Sequence, residues 1–90
     1  MTRENRFTIR NESPRPLTLN VEPEGVFVSL RAGDIVIVTD HYVEIPVAVT
    51  WTQTPDGEPV VTVWPGDGEV RVSKDGVDVL DAATAVQSPA

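Results

Sequence analysis

Apolar and polar residues alternate in short runs along this chain. Phe7 and Ile9, Leu17, Leu19 and Val21, Val26, Val28 and Leu30, Val61 and Val63, and Val70 and Val72 all repeat at a period of two. No window of helical length carries apolar residues at i, i+3 and i+4. Turn-forming residues interrupt the runs every eight to twelve positions, at Ser13-Pro14-Arg15-Pro16, Glu22-Pro23-Glu24-Gly25, Ala32-Gly33-Asp34, Pro55-Asp56-Gly57, Gly66-Asp67-Gly68 and Asp75-Gly76. This punctuation predicts an all-β fold, an antiparallel sandwich or jelly-roll-like barrel of about eight short strands. The strands are expected near 6–11, 17–22, 26–31, 34–39, 43–54, 58–64, 69–74 and 77–81. They form a single domain over 1–81, with residues 1–4 frayed and a flexible tail over 82–90.

The C-terminal half allows a register to be read. Thr54-Pro55-Asp56-Gly57 suits a type I turn followed by a left-handed glycine, which sets Thr54 against Glu58, Trp51 against Val61 and Val49 against Val63. Any shift by one residue would mix the two faces. An even loop through Pro65 and Gly68 pairs Val63 with Val70. A type I′ turn at Asp75-Gly76 pairs Val72 with Val79. Together these turns predict a four-stranded C-terminal meander whose apolar face holds Val47, Val49, Trp51, Val61, Val63, Val70, Val72 and Val79. The first half supplies the opposing face, with the two sheets stacked about 10 Å apart.

Within this frame Glu22-Pro23-Glu24-Gly25 reads as a corner between strands: proline fixes one φ and glycine is free to take a positive one. Asn11-Glu12-Ser13, Leu17 and Leu19, Glu22-Pro23-x-Gly25 and Leu30-x-x-Gly33 are similar to the Asn-x-Ser, Leu-x-Leu, Glu-Pro-x-Gly and Gly pattern of short bacterial proteins of uncharacterised function. The resemblance covers about the first forty residues. It implies a small β-sandwich and brings no functional residue with it.

Charge and residue inventory narrow the chemistry. The net charge is −7, and residues 46–90 hold two basic and seven acidic side chains. An acidic domain is repelled by phosphate backbones and anionic lipid, so neither nucleic acid nor membrane is an expected partner. No apolar run follows the N-terminal charges, which predicts neither a signal peptide nor a transmembrane span. The absence of cysteine excludes disulfides and thiolate chemistry and agrees with a cytoplasmic location. With one histidine, His41, a multi-histidine metal centre is excluded. In Asp40-His41-Tyr42, read as a polar turn, neighbouring side chains point to opposite faces. Asp56, Glu58, Asp67, Glu69, Asp75 and Asp78 crowd the later loops, where solvated turn acids that blunt edges are expected rather than a Ca²⁺ site. No enzyme, cofactor or metal site is predicted.

What remains is surface. The register that sends Trp51 inward sends Trp64 outward, with Glu69 across from it, Arg71 on the diagonal and Leu80 opposite Arg71. Tryptophan, arginine and leucine together have hot-spot composition. Phe27 points away from the face of Val26 and Val28, and Ile35-Val36-Ile37-Val38 is apolar on both sides. Such a strand is either central in its own sheet or covered by another subunit. The sequence therefore predicts a small non-enzymatic protein-binding or assembly module. A homodimer or larger cyclic oligomer is expected, with Phe27, Val36 and Val38 at the contact. Trp64, Arg71 and Leu80 form the alternative patch. The second functional reading is a sandwich that binds a carbohydrate or small ligand on the Trp64 ring.

Overall fold

A computed structural model describes residues 2–79. Eight strands follow one another: β1 (Arg3–Arg10), β2 (Leu17–Val21), β3 (Val26–Leu30), β4 (Ile35–Tyr42), β5 (Ala48–Gln53), β6 (Pro59–Trp64), β7 (Glu69–Lys74) and β8 (Val77–Asp78). They form two four-stranded sheets, in the orders β1-β4-β7-β8 and β3-β2-β6-β5. The protein is a β-sandwich. Leu17, Leu19, Val21, Leu30, Val61 and Val63 from one sheet meet Val36, Val38, Val72 and Val79 from the other in the core. Except for Val36 and Val38, which the sequence had left open to an intersubunit contact, these are residues that strand alternation and turn register had assigned to a buried face.

The local turns form as the sequence predicts. In the β5–β6 turn the Gly57 N–H donates to the Thr54 carbonyl at 2.8 Å and the Thr54 N–H to the Glu58 carbonyl at 2.9 Å, with Gly57 at φ 83°. Trp51 then stands opposite Val61 and Val49 opposite Val63. Asp75 and Gly76 take φ 54° and 80°, the conformation of a type I′ turn, and set Lys74 against Val77. Glu22-Pro23-Glu24-Gly25 is a turn between β2 and β3, with Gly25 at φ 68°.

The meander does not form. β6 runs parallel to β2, Thr62 opposite Asn20, while β7 pairs antiparallel with β4, Val72 opposite Val38. Between them the chain crosses from one sheet to the other, so the sandwich is not purely antiparallel. The crossing is packed against residues 41–46. A Cβ on Gly66 would overlap the Ile45 carbonyl and one on Gly68 the His41 carbonyl, so only glycine lets the two segments approach this closely. Asp67, between the two glycines, accepts the N–H groups of Val43, Glu44 and Ile45 at 2.9, 2.8 and 3.0 Å and donates its own N–H to the Ile45 carbonyl at 3.0 Å. That clamp holds residues 43–45 as a loop where a strand over 43–54 was expected.

Two further boundaries shift. β1 begins at Arg3, paired with Tyr42, so Arg3 and Glu4 are strand where fraying was expected. Asp40, His41 and Tyr42 close β4 rather than forming a turn. Asp40 faces the core, fully buried, where its Oδ2 accepts the Val47 N–H at 2.8 Å and its Oδ1 has no hydrogen-bond partner among the described residues, whereas His41 points outward to Glu4 at 3.5 Å. The final part of the predicted last strand, including Leu80, and the 82–90 tail lie outside the described residues.

Asn11 ties the early loops to this frame. Its Nδ2 donates to the carbonyls of Arg15 and Leu30, both at 2.8 Å, and its Oδ1 accepts the Ser13 N–H at 3.0 Å. Its backbone N–H donates to the Asp34 carbonyl at 3.0 Å, and its carbonyl accepts the Gly33 N–H at 2.7 Å. The Asn-x-Ser and Gly33 parts of the sequence pattern are thus one structural knot joining the β1–β2 loop to the end of β3 and the β3–β4 loop.

Candidate functional site

Of the surface residues singled out from sequence, Val36 and Val38 are fully buried in the core. β4 lies between β1 and β7, and its even-numbered side chains face the other sheet, so they cannot form a contact with Phe27. Ile35 and Ile37 take the outer face of β4, with Ile35 exposed. Phe27 is 67% exposed on the outer face of the other sheet, opposite Asn20.

Trp64 shares that outer face. Its indole N–H donates to Thr50 Oγ1 at 3.0 Å, which turns the ring toward β5, and the intervening Thr62 is buried. Arg71 belongs to the opposite sheet, where its Nε lies 3.2 Å from Glu69 Oε1, so the expected cluster of Trp64, Glu69 and Arg71 is not assembled. The cause is the crossing at Pro65 to Gly68. Leu80 lies outside the described residues.

The acidic loops disperse. Asp67 is occupied by its three backbone amides, which, with Val43 first, hold its carboxyl below the usual carboxylate range. Glu69 pairs with Arg71, Asp75 with Lys74 at 3.3 Å, and Asp56 stands at the tip of the β5–β6 hairpin. Among the described residues no three His, Asp or Glu side chains converge as a metal site would require. An open cleft of about 610 Å³ lies where the β2–β3 corner meets the β6–β7 crossing, lined by Glu22, Pro23, Glu24, Asp67, Glu69 and Arg71 among others. The corner thus forms one wall of an acidic groove. No helix of the described residues is long and apolar enough to cross a membrane.

The edges of the sheets are more informative than the cleft. An edge strand presents unpaired N–H and C=O groups, and proteins usually blunt it with charge or brevity. β1 carries Arg3, Glu4, Arg6 and Arg10, and β8 has two residues. β3 is flanked by Glu24 and Arg31, and its last carbonyl, Leu30, already accepts from Asn11. β5, Ala-Val-Thr-Trp-Thr-Gln, has six residues, no charge and every side chain exposed.

Sequence reasoning correctly put Val49 and Trp51 on the core-facing side of β5, yet they are 45% and 64% exposed. β5 is the outermost strand of its sheet, paired with β6 on one side and open on the other, and all its side chains are exposed. The signal available in the sequence was the charge-free run between Pro46 and Pro55, but it does not reveal which strand is an edge. No family model matches the chain, and neither a curated protein nor a solved structure does, so the functional reading rests on these edges and faces.

Proposed function

We propose that the protein is a small non-enzymatic module that binds protein by accepting an added strand at the β5 edge. The supporting observation is that, among the described strands, β5 alone combines edge position, six-residue length, absence of charge and two exposed apolar side chains, Val49 and Trp51. Main-chain hydrogen bonds along such an edge supply affinity, and alternate side chains supply selectivity. The residue inventory agrees, since the chain has no cysteine and only one lysine and one histidine.

The test is an NMR titration of the ¹⁵N-labelled chain with a synthetic strand peptide, Lys-Val-Thr-Val-Thr-Val-Lys, alongside a dilution series of the chain itself. Shift changes running along β5 in either experiment support the reading. Unchanged β5 signals in both overturn it. The carbohydrate-binding alternative is favoured by one observation, the half-exposed Trp64 ring held in place by Thr50. A glycan panel read by tryptophan fluorescence tests it, with Trp64→Ala expected to abolish any response.

A further inference from the structure

Resting on the strand-addition reading, we infer that the strand β5 accepts is β5 of a second copy, paired antiparallel about a two-fold axis through Trp51. The direction of the backbone groups carries the argument. The Thr54 N–H points to Glu58 across the hairpin. In an antiparallel ladder alternate residues turn both their N–H and C=O to the same side. Thr52, Thr50 and Ala48 are in step with Thr54 and face β6, so Val49, Trp51 and Gln53 face the open edge.

The open ladder is bounded at both ends. Val47, next in step on one side, already donates its N–H to buried Asp40. Pro55, next on the other, has no N–H. The three outward-facing residues are therefore symmetric about Trp51. A two-fold there sets Val49 against Gln53 of the other copy and Trp51 against its own equivalent. Every outward N–H and C=O of the three residues then finds a partner in both copies.

Other registers do worse. Centring the axis on Thr50 would oppose Gln53 to Val47, whose N–H is taken. Centring it on Thr52 would oppose Val49 to Pro55. A slip of one residue would place the core-facing side chains of one copy beside the outer-face side chains of the other. The chosen register keeps like faces together, with Thr50 opposite Thr52 on the outer side, a favourable cross-strand pair.

Charge points the same way. Each copy carries a net −7, and residues 48–53 contribute none of it, so this edge brings no like charges directly opposite each other. Repulsion between the two bodies is screened over about 8 Å at physiological salt. The pair would run the two β3-β2-β6-β5 sheets into one continuous sheet. Both Trp51 rings then lie on the same side, in the space between the two covering sheets, which accounts for a core-facing tryptophan left 64% exposed in the single chain. The contact is isologous, the commonest closed arrangement.

The test is amide hydrogen exchange by NMR with light scattering on the full chain, from about 5 µM to about 500 µM, since a two-strand contact falls below the roughly 800 Å² per partner of a standard interface. The expected result is a doubling of mass together with at least about tenfold slower exchange at Val49, Trp51 and Gln53, while Thr50 and Thr52, bonded to β6, do not change. Trp51→Lys is expected to abolish both changes and leave the circular dichroism of the fold intact. Doubling without protection of those three amides overturns the inference, because the contact then lies elsewhere. If mass and exchange both stay constant, self-pairing is also overturned. Protection of the same amides by the Lys-Val-Thr-Val-Thr-Val-Lys peptide would then preserve strand addition as the function, and its absence would overturn that reading too.

Discussion

Replacing Asn11 by alanine removes the side-chain knot that joins the β1–β2 loop to the end of β3. Asn11 is 3% exposed and makes three side-chain hydrogen bonds, at 2.8, 2.8 and 3.0 Å. The bond to the Leu30 carbonyl is buried, so its loss strands an acceptor away from water, at a cost of about 1–3 kcal/mol. The bonds to the Arg15 carbonyl and from the Ser13 N–H are partly buried and contribute about 0.5–1.5 kcal/mol each. The expected loss is therefore about 3 kcal/mol. A domain of this size holds only roughly 5–13 kcal/mol in total. Urea unfolding should show a lower midpoint at constant slope, and the melting temperature should fall by roughly 12–24 °C, at about 4–8 °C per kcal/mol.

Asn11→Asp provides the control. It keeps the acceptor for Ser13 but turns an oxygen toward two carbonyl oxygens, so it should destabilise at least as much as alanine. A change below about 0.5 kcal/mol for Asn11→Ala would refute the assignment of Asn11 as the knot, since ordinary surface substitutions fall in that range.

The clamp at Asp67 predicts a pH dependence. Its folded-state pKa is lowered from 3.8 by the three amides, so the carboxylate's contribution is present above that value and is lost as the pH falls through the lowered one. Acid unfolding of Asp67→Asn should show a shallower stability loss below about pH 4 than the native chain, and identical slopes would contradict the clamp. Gly68→Ala should cost at least about 2 kcal/mol in urea unfolding, because the added Cβ meets the His41 backbone carbonyl rather than a side chain that can move aside. Calcium or a chelator should leave the melting temperature unchanged. A rise with Ca²⁺ would mean that the loop acids converge on an ion after all.

What could be read from the sequence was local. The alternation of Leu17, Leu19 and Val21 or of Val61 and Val63 named the buried face, because side chains of an extended strand point to opposite sides in turn. Thr54 to Gly57 and Asp75-Gly76 named their turns and hairpin registers, because backbone conformations open to glycine and a few polar residues allow few alternatives over so short a loop. Glu22 to Gly25 was legible as a corner for the same reason.

The tertiary structure decided which strands are neighbours. Alternation is silent on that point: Val63 and Val70 belong equally well to one sheet or to two facing sheets, since either arrangement buries both. The choice was made by contacts distant in sequence, the passage of Gly66 and Gly68 beneath residues 41–46 and the hold of Asp67 on the amides of Val43, Glu44 and Ile45. With the crossing made, β6 moved beside β2, Arg71 was carried away from Trp64, Val36 and Val38 closed into the core, and β5 was left as an edge. The candidate site follows from that last step. Whether a charge-free strand is harmless in the middle of a sheet or open to a partner at its rim depends on what stands beside it, and only long-range packing determines that.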